Sequence, residues 1–277
     1  MKIGAALPRL LERKFPTVRP SYPLLTVLYL LRVAEIAAVP ITEDGSTRRA
    51  VFGFSILPKL IELAPKNFEE YLGGPCERAS EELAFFKTDD DIETLLDGFK
   101  HSHLGVAIVA GKIGGRERTS LVTLADLLRL YKTKQFASDL LAGEVASPIF
   151  SMPGRSTVRE AVKTMFKLRQ RRVFIDGEST YISDRSIIER VLSPASLVRD
   201  RDEPDVAILD TRIDFLKKTA PIEITSRAKV QSAALRLRSD WGPCLIVKGK
   251  REVLTPWDVI MKPWEAGRLT IRSRPPA

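Results

Sequence analysis

Apolar positions recur at helical spacing four times along the chain, and each time short extended runs flank them. The third quarter shows the pattern best. "SPIFSM" reads as a strand, and "STVREAVKTMFKLRQ" places Val158, Ala161, Val162, Met165 and Leu168 on one helical face, with Ser156 or Thr157 positioned to cap it. Val173 to Ile175 and Thr180 to Ile182 then form a β-hairpin about the Asp176-Gly177 turn. Ser183 opens a second helix carrying Ile187, Ile188 and Val191. The order is strand, helix, strand, strand, helix.

The same order returns in the last quarter. "PIEI" leads to a helix with Val230, Ala233, Ala234 and Leu237; then come "CLIV", the turn "KGK", "EVL", and Thr255 opening a helix. The second quarter runs through "AFF", a helix with Ile92, Leu95, Leu96 and Phe99, then "VAIV", a Gly-rich turn, "SLV" and Thr123. A weaker copy starts the chain: "PTV", a helix with Leu24, Leu25, Leu28 and Leu31, then "VPI", the turn "EDGS", "AVFGF", and a closing helix with Leu60, Ile61 and Leu63. Equivalent helix positions, Val27, Ile92, Val158 and Val230, recur about every 65 to 72 residues, the mark of an internal repeat. A unit of roughly 50 ordered residues buries too little surface to be secure alone. Adjacent units are therefore expected to pair sheet to sheet, giving a first pair in 1–138 (units about 12–66 and 82–135) and a second in 139–277 (units about 146–194 and 218–265).

Two helix starts share a signature, "LVTLADLL" with Thr123 and Asp126 and "VLTPWDVI" with Thr255 and Asp258. Capping accounts for the spacing: a threonine ahead of a helix satisfies its first N–H groups, and an acid three residues on suits the positive helix end. Pro256 fits the first helical position, where no N–H is required.

The composition narrows the function classes. With 44% apolar residues the chain can pack a core, and its longest apolar run, Pro23 to Leu31, is too short to span a bilayer. Together with two isolated cysteines, Cys76 and Cys244, this points to a cytoplasmic protein without membrane insertion, disulfide framework or metal set. The net charge of +9 suggests an anionic partner: a nucleotide, a nucleic acid or an acidic protein. The densest basic run, Lys167 to Arg172, has no interleaved aromatics and suits a solvated helix end.

A repeated strand-helix-strand-strand-helix unit with Thr/Ser-x-x-Asp opening its last helix resembles the cystathionine β-synthase (CBS) domain. Two such units make a Bateman module, and four in one chain resemble the γ subunit of AMP-activated protein kinase and stand-alone archaeal CBS proteins. The resemblance implies an α+β fold of four CBS units in two Bateman modules. It also implies a regulatory protein binding AMP, ADP or ATP (or S-adenosylmethionine) between paired units, with no obligatory cofactor. The signature Asp would accept the ribose hydroxyls and the Thr would touch phosphate, so Thr123 with Asp126 and Thr255 with Asp258 would each serve one site. The physics is compatible: a carboxylate suits a vicinal diol, and a helix N-terminus favours phosphate.

The other two copies depart from the signature. The third offers Ser183 but has Ser186 in the place of the acid, and in the first, "GFSILPKL", the register puts Ile56 and Lys59 at the two positions. Those sites are expected to be weak, empty or structural. The resemblance also places basic residues before the second strand, here His103 in copy two and Arg171 or Arg172 in copy three, against Gly242-Pro243 in copy four. Adenine walls would come from Ile222, Ile224 and Pro243 in copy four and from Phe86 and Val106 in copy two. His101 and His103 lack a third ligand for a metal, and Trp257 suits a packing anchor.

No catalytic constellation stands out. "GKIGGRE" joins two strands and does not open a helix, so it lacks the context of a phosphate loop, and an enzyme is not expected. The competing class is a basic nucleic-acid-binding or scaffold protein that keeps the fold without a ligand. A protein partner, or a homodimer through stacked modules, is compatible with either.

Overall fold

The structure, a computed structural model, describes residues 1–13, 15–43, 48–62, 68–113, 115–192, 209–237 and 244–273. Leu63, most of the "EDGS" turn, the connector 193–205 and the Gly242-Pro243 pair lie outside the described residues.

The chain opens with α1 (Ile3–Ala6) and a 3-10 turn, Leu10–Glu12. The first unit holds α2 (Leu24–Val33), β1 (Ala38–Ile41), β2 (Arg49–Phe52) and α3 (Gly53–Glu62), with Val18 making a parallel bridge to Ile41. After α4 (Phe68–Gly73), β3 (Ser80–Glu82) adds antiparallel to β2. The second unit is β4 (Phe85–Lys87), α5 (Ile92–Ser102), β5 (Val106–Ile113), β6 (Arg116–Thr123) and α6 (Leu124–Lys132). A bridge of β7 (Phe136–Ala137) and α7 (Ala142–Val145) leads to β8 (Ser147–Pro148). The third unit is β9 (Ser151–Met152), α8 (Val158–Lys167), β10 (Arg172–Ile175), β11 (Tyr181–Ser183) and α9 (Asp184–Val191). The fourth is β12 (Ile222–Ile224), α10 (Val230–Arg236), β13 (Leu245–Val247), β14 (Glu252–Leu254) and α11 (Pro256–Glu265), closed by β15 (Thr270–Ile271).

Each unit carries the same ladder. The strand before the first helix pairs in parallel with the strand after it, as a helical crossover requires, and that strand pairs antiparallel with the next. The register makes the repeat exact at the level of single residues: Ala38 faces Phe52, Val106 faces Thr123 and Arg172 faces Ser183. In the fourth copy Leu245 faces Leu254, which aligns Thr255 with the same position. This corrects the first copy. The residues standing where Thr and Asp stand elsewhere are Phe52 and Ser55, four positions before Ile56 and Lys59, because α3 begins directly at Gly53.

The stretch "SPIFSM" is two strands. Pro148 has no N–H to continue a ladder, and the chain crosses there between sheets: Ser147 pairs with Val253 on β14, whereas Ser151 and Met152 pair with β10.

Period-two alternation gives every sheet two apolar faces. One face of the second sheet (Val106, Ile108, Leu121) meets Ala38, Ala50 and Phe52 of the first, and Phe174 and Tyr181 of the third meet Cys244 and Val253 of the fourth. The opposite faces lie under helices, and the helices join units that are not neighbours in sequence. Units one and three share one core, in which Val27, Leu28 and Leu31 meet Val158, Ile187 and Ile188. Units two and four share another, sealed by the buried Tyr131 hydroxyl donating to the Val259 carbonyl at 2.7 Å. Each fully buried aliphatic side chain contributes about 1.5–3 kcal/mol, so neither helical layer is stable unpartnered. Among the described residues no helix is long and apolar enough to cross a membrane.

Candidate functional site

All four units contribute to one central cavity of about 440 Å3. Its size lies within the range of small-molecule pockets. The first unit supplies Ala37 and Phe52, and the second His103, Leu104, Gly105, Val106 and Leu124. From the third come Phe150, Phe174 and the turn Arg169–Gln170–Arg171–Arg172. Thr255, Trp257, Asp258, Val253 and Glu265 close the fourth side, with Ser147 beside them.

The turn before β10 is shaped by its backbone. Arg169 has φ +52, which ends α8 and turns the next three residues into the cavity. Arg171 donates through Nε and Nη2 to Asp184 Oδ2 at 2.8 and 2.6 Å, and Asp184 is buried. The Arg172 guanidinium stands 5.9 Å from the Tyr181 ring centroid. Burial pushes the Tyr181 phenol and the Cys244 thiol up, so both are neutral around Arg172 at ordinary pH. Three arginines and His103 thus face two lining acids, Asp258 and Glu265.

Asp258 is held tightly. Its Oδ2 accepts from the Thr255 backbone N–H at 2.8 Å and from the Thr255 hydroxyl at 2.7 Å, so the signature pair organises the start of α11. Its Oδ1 accepts from Ser147 Oγ at 2.6 Å and lies 3.1 Å from Lys262 Nζ. Both oxygens are in use and the side chain is 4% exposed. Lys262, about one-third exposed, also donates to Ser147 Oγ and the Ala146 carbonyl. Asp126 repeats the cap, with Thr123 N–H at 2.9 Å and the Thr123 hydroxyl at 3.3 Å from Oδ2, but its Oδ1 is 2.5 Å from Arg13 Nη1.

Of the residues singled out in the sequence, Thr255, Asp258, His103, Val106, Arg171 and Arg172 meet at the central cavity. Thr123 and Asp126 do not line it; they belong to the start of α6, beneath Arg13. Ser183 caps its own helix, exchanging hydrogen bonds with Ser186. Phe86 packs its ring against Gly98 of α5, and Ile224 lies in the same helical core, so alternation turns both away from the cavity. Ile222 sits 39% exposed, and Pro243 lies outside the described residues. The walls beside Asp258 come from the unit paired with it, Phe150 just before β9 and Phe174 on β10, and not from its own first strand.

Sequence reasoning missed Phe52, Phe150, Phe174, Ser147, Lys262 and Arg13. Lys262 carries a visible signal, lying four residues after Asp258 on one helical face. Trp257 lines the cavity, its ring centroid 6.0 Å from that of His103.

No protein-family model matches the chain, and no curated protein matches it. Among solved structures it is similar to protein MJ1225 from Methanocaldococcus jannaschii, described as a candidate archaeal homologue of g-AMPK, with a TM-score of 0.77 at 15% identity over 94% of this chain and 98% of that one. An uncharacterized conserved protein from Pyrococcus horikoshii is similar with a TM-score of 0.50 and 12% identity, over 82% of this chain and 91% of that one. A CBS-domain containing protein from Agrobacterium tumefaciens covers 47% of this chain with 98% of its own length, at 15% identity and a TM-score of 0.38. At these identities the likeness concerns the fold. By the order of its elements, the register of its ladders and superposition over nearly its whole length, the chain has the fold of proteins built from four CBS units.

Proposed function

We propose that the chain is a regulatory protein that binds an adenine nucleotide, AMP, ADP or ATP, in the central cavity. The observation that carries this reading is the convergence of Arg169, Arg171 and Arg172 with the rings of Phe52, Phe150, Phe174 and Trp257 around 440 Å3 at the mouth of α11. Guanidinium groups pair with phosphate oxygens, and apolar and aromatic walls suit a purine. The ribose hydroxyls take over Oδ1 of Asp258 from Ser147 and Lys262, whereas Oδ2 stays in the helix cap.

Because all four units line the cavity, an occupant touches both sequence halves, which act as two modules in this reading. Binding favours the arrangement of helices that contacts it best, and a partner protein reads that arrangement; the size of the shift equals the ligand's preference between the two states. The test is a thermal-shift panel of AMP, ADP, ATP, adenosine, S-adenosylmethionine and single-stranded DNA. A ligand of the folded state raises the melting temperature. The nucleotides are expected to do so and adenosine much less. A rise with DNA alone supports the nucleic-acid reading.

A further inference from the structure

The two signature acids sit in equivalent frames, and what covers them differs. Val18 bridges in parallel to Ile41 as Met152 does to Ile175, and Arg13 and Ser147 each lie five residues before those bridging positions. The repeat therefore brings Arg13 to Asp126 where it brings Ser147 to Asp258: Arg13 Nη1 is 2.5 Å from Asp126 Oδ1, and Ser147 Oγ donates to Asp258 Oδ1 at 2.6 Å. One turn further along each helix the exchange runs the other way, with Lys262 beside Asp258 and the buried Leu130 after Asp126. The first pair of units thus carries its cation on the segment that enters the fold, and the second pair carries it on the helix.

The exchange changes access. Ser147 is short, and both it and Asp258 line the central cavity. Arg13 is long and lies over Asp126: it lines a second cavity, of about 410 Å3 between units one and two, which Asp126 does not line. Asp126 Oδ2 is taken by the Thr123 cap and Oδ1 by the guanidinium, and the side chain is 7% exposed. Arg13 is also held from behind. Ile3 N–H donates to the Asp90 carbonyl at 2.9 Å and Gly4 N–H to that of Thr88 at 2.8 Å. Leu7 and Leu10 are buried in the core shared by units two and four, and Leu11 packs beside Gly111. A guanidinium on a pinned segment is costly to pull away from a nearly buried carboxylate, because the acid left behind loses its counter-ion.

We infer that Arg13 is a built-in plug: it holds Asp126 in an internal ion pair, closes that acid to a sugar, and leaves Asp258 as the acid that takes one nucleotide per chain. The plug rests on the nucleotide reading of the central cavity and adds to it an inequality between the two pairs of units.

The test exchanges the residues at the two equivalent positions and counts ligand by calorimetric titration of the full chain with AMP. The wild type is expected to bind one AMP per chain. Arg13→Ser, which gives the first pair the serine of the second, is expected to bind a second AMP. Ser147→Arg is expected to weaken the wild-type event by roughly tenfold or more, the loss of one charged acceptor. A melting curve shows whether each variant folds; should Arg13→Ser not fold, Ser147→Arg decides, and wild-type affinity in it overturns the inference. One AMP per chain in folded Arg13→Ser overturns it as well and leaves the nucleotide reading standing. So does a wild type that binds two, one of them lost in Asp126→Asn. If the wild type and Arg13→Ser both take up no AMP, the nucleotide reading falls and the inference falls with it.

Discussion

Lys262 stands one turn beyond Asp258 on α11, its ammonium 3.1 Å from Oδ1, and it shares Ser147 Oγ with that carboxylate. The acid that the helix signature marks is thus guarded by a cation that a ligand has to displace. A partly exposed ion pair is worth about 0.2–1 kcal/mol, a small barrier beside a nucleotide's binding energy. Lys262→Met is expected to leave AMP affinity unchanged or to raise it by up to roughly fivefold, measured by calorimetry. A fall beyond tenfold would show that Lys262 contributes more to the bound state than it withholds from it.

Arg172 and Arg171 have different tasks. Arg171 is committed to buried Asp184 through two hydrogen bonds, whereas Arg172 stands over Tyr181 on the cavity side. Arg172→Met is expected to weaken AMP by roughly ten- to hundredfold, the cost of about 1.5–3 kcal/mol for one charged hydrogen bond, and to leave adenosine untouched. Arg171→Met is expected to act on folding, since it strands a buried carboxylate; a lower melting temperature checks this.

A buried hydroxyl ties units two and four together inside their shared apolar core. Tyr131→Phe removes its bond to the Val259 carbonyl and leaves that acceptor unpaired, at a cost of about 1–3 kcal/mol. The expected result is a melting temperature lower by several degrees with AMP stoichiometry retained. An unchanged melting temperature would mean that this bond does not hold the layer.

Gly105 shapes the cavity wall through its backbone. Its φ is +64, and a Cβ there would lie 2.7 Å from Leu124 Cδ1 and 4.0 Å from Trp257 Cε3. Gly105→Ala is expected to destabilise by about 1–2 kcal/mol and to perturb the emission of Trp257. Wild-type stability and fluorescence would show the left-handed turn to be dispensable.

Much of the fold was legible because its signals are local. Helical periodicity at Val158, Ala161, Val162 and Met165, the Asp176-Gly177 turn and the Thr255-Asp258 cap each need only a dozen residues of context, and the structure has all three. The first copy's register misled because Gly53, Phe54 and Ser55, which form the first turn of α3, follow the apolar run of β2 in the sequence without a capping signature, so the end of β2 carries no mark there. The cavity walls were illegible for a different reason. Which strand faces Asp258 is decided by how units pair in space, and Phe150 and Phe174 have no sequence relation to it. Arg13 is 113 residues from Asp126 only in sequence: the meeting is made by the anchored N-terminal segment, and spacing rules do not reach that far.

The central claim is that Asp258 grips a nucleotide's sugar as well as capping its helix. Calorimetric titration of AMP into Asp258→Asn tests it most directly, because asparagine keeps an acceptor for the Thr255 N–H and removes the charge. The account predicts an intact fold with AMP binding weakened by roughly tenfold or more. Wild-type affinity in that variant would contradict it and leave Asp258 as a helix cap.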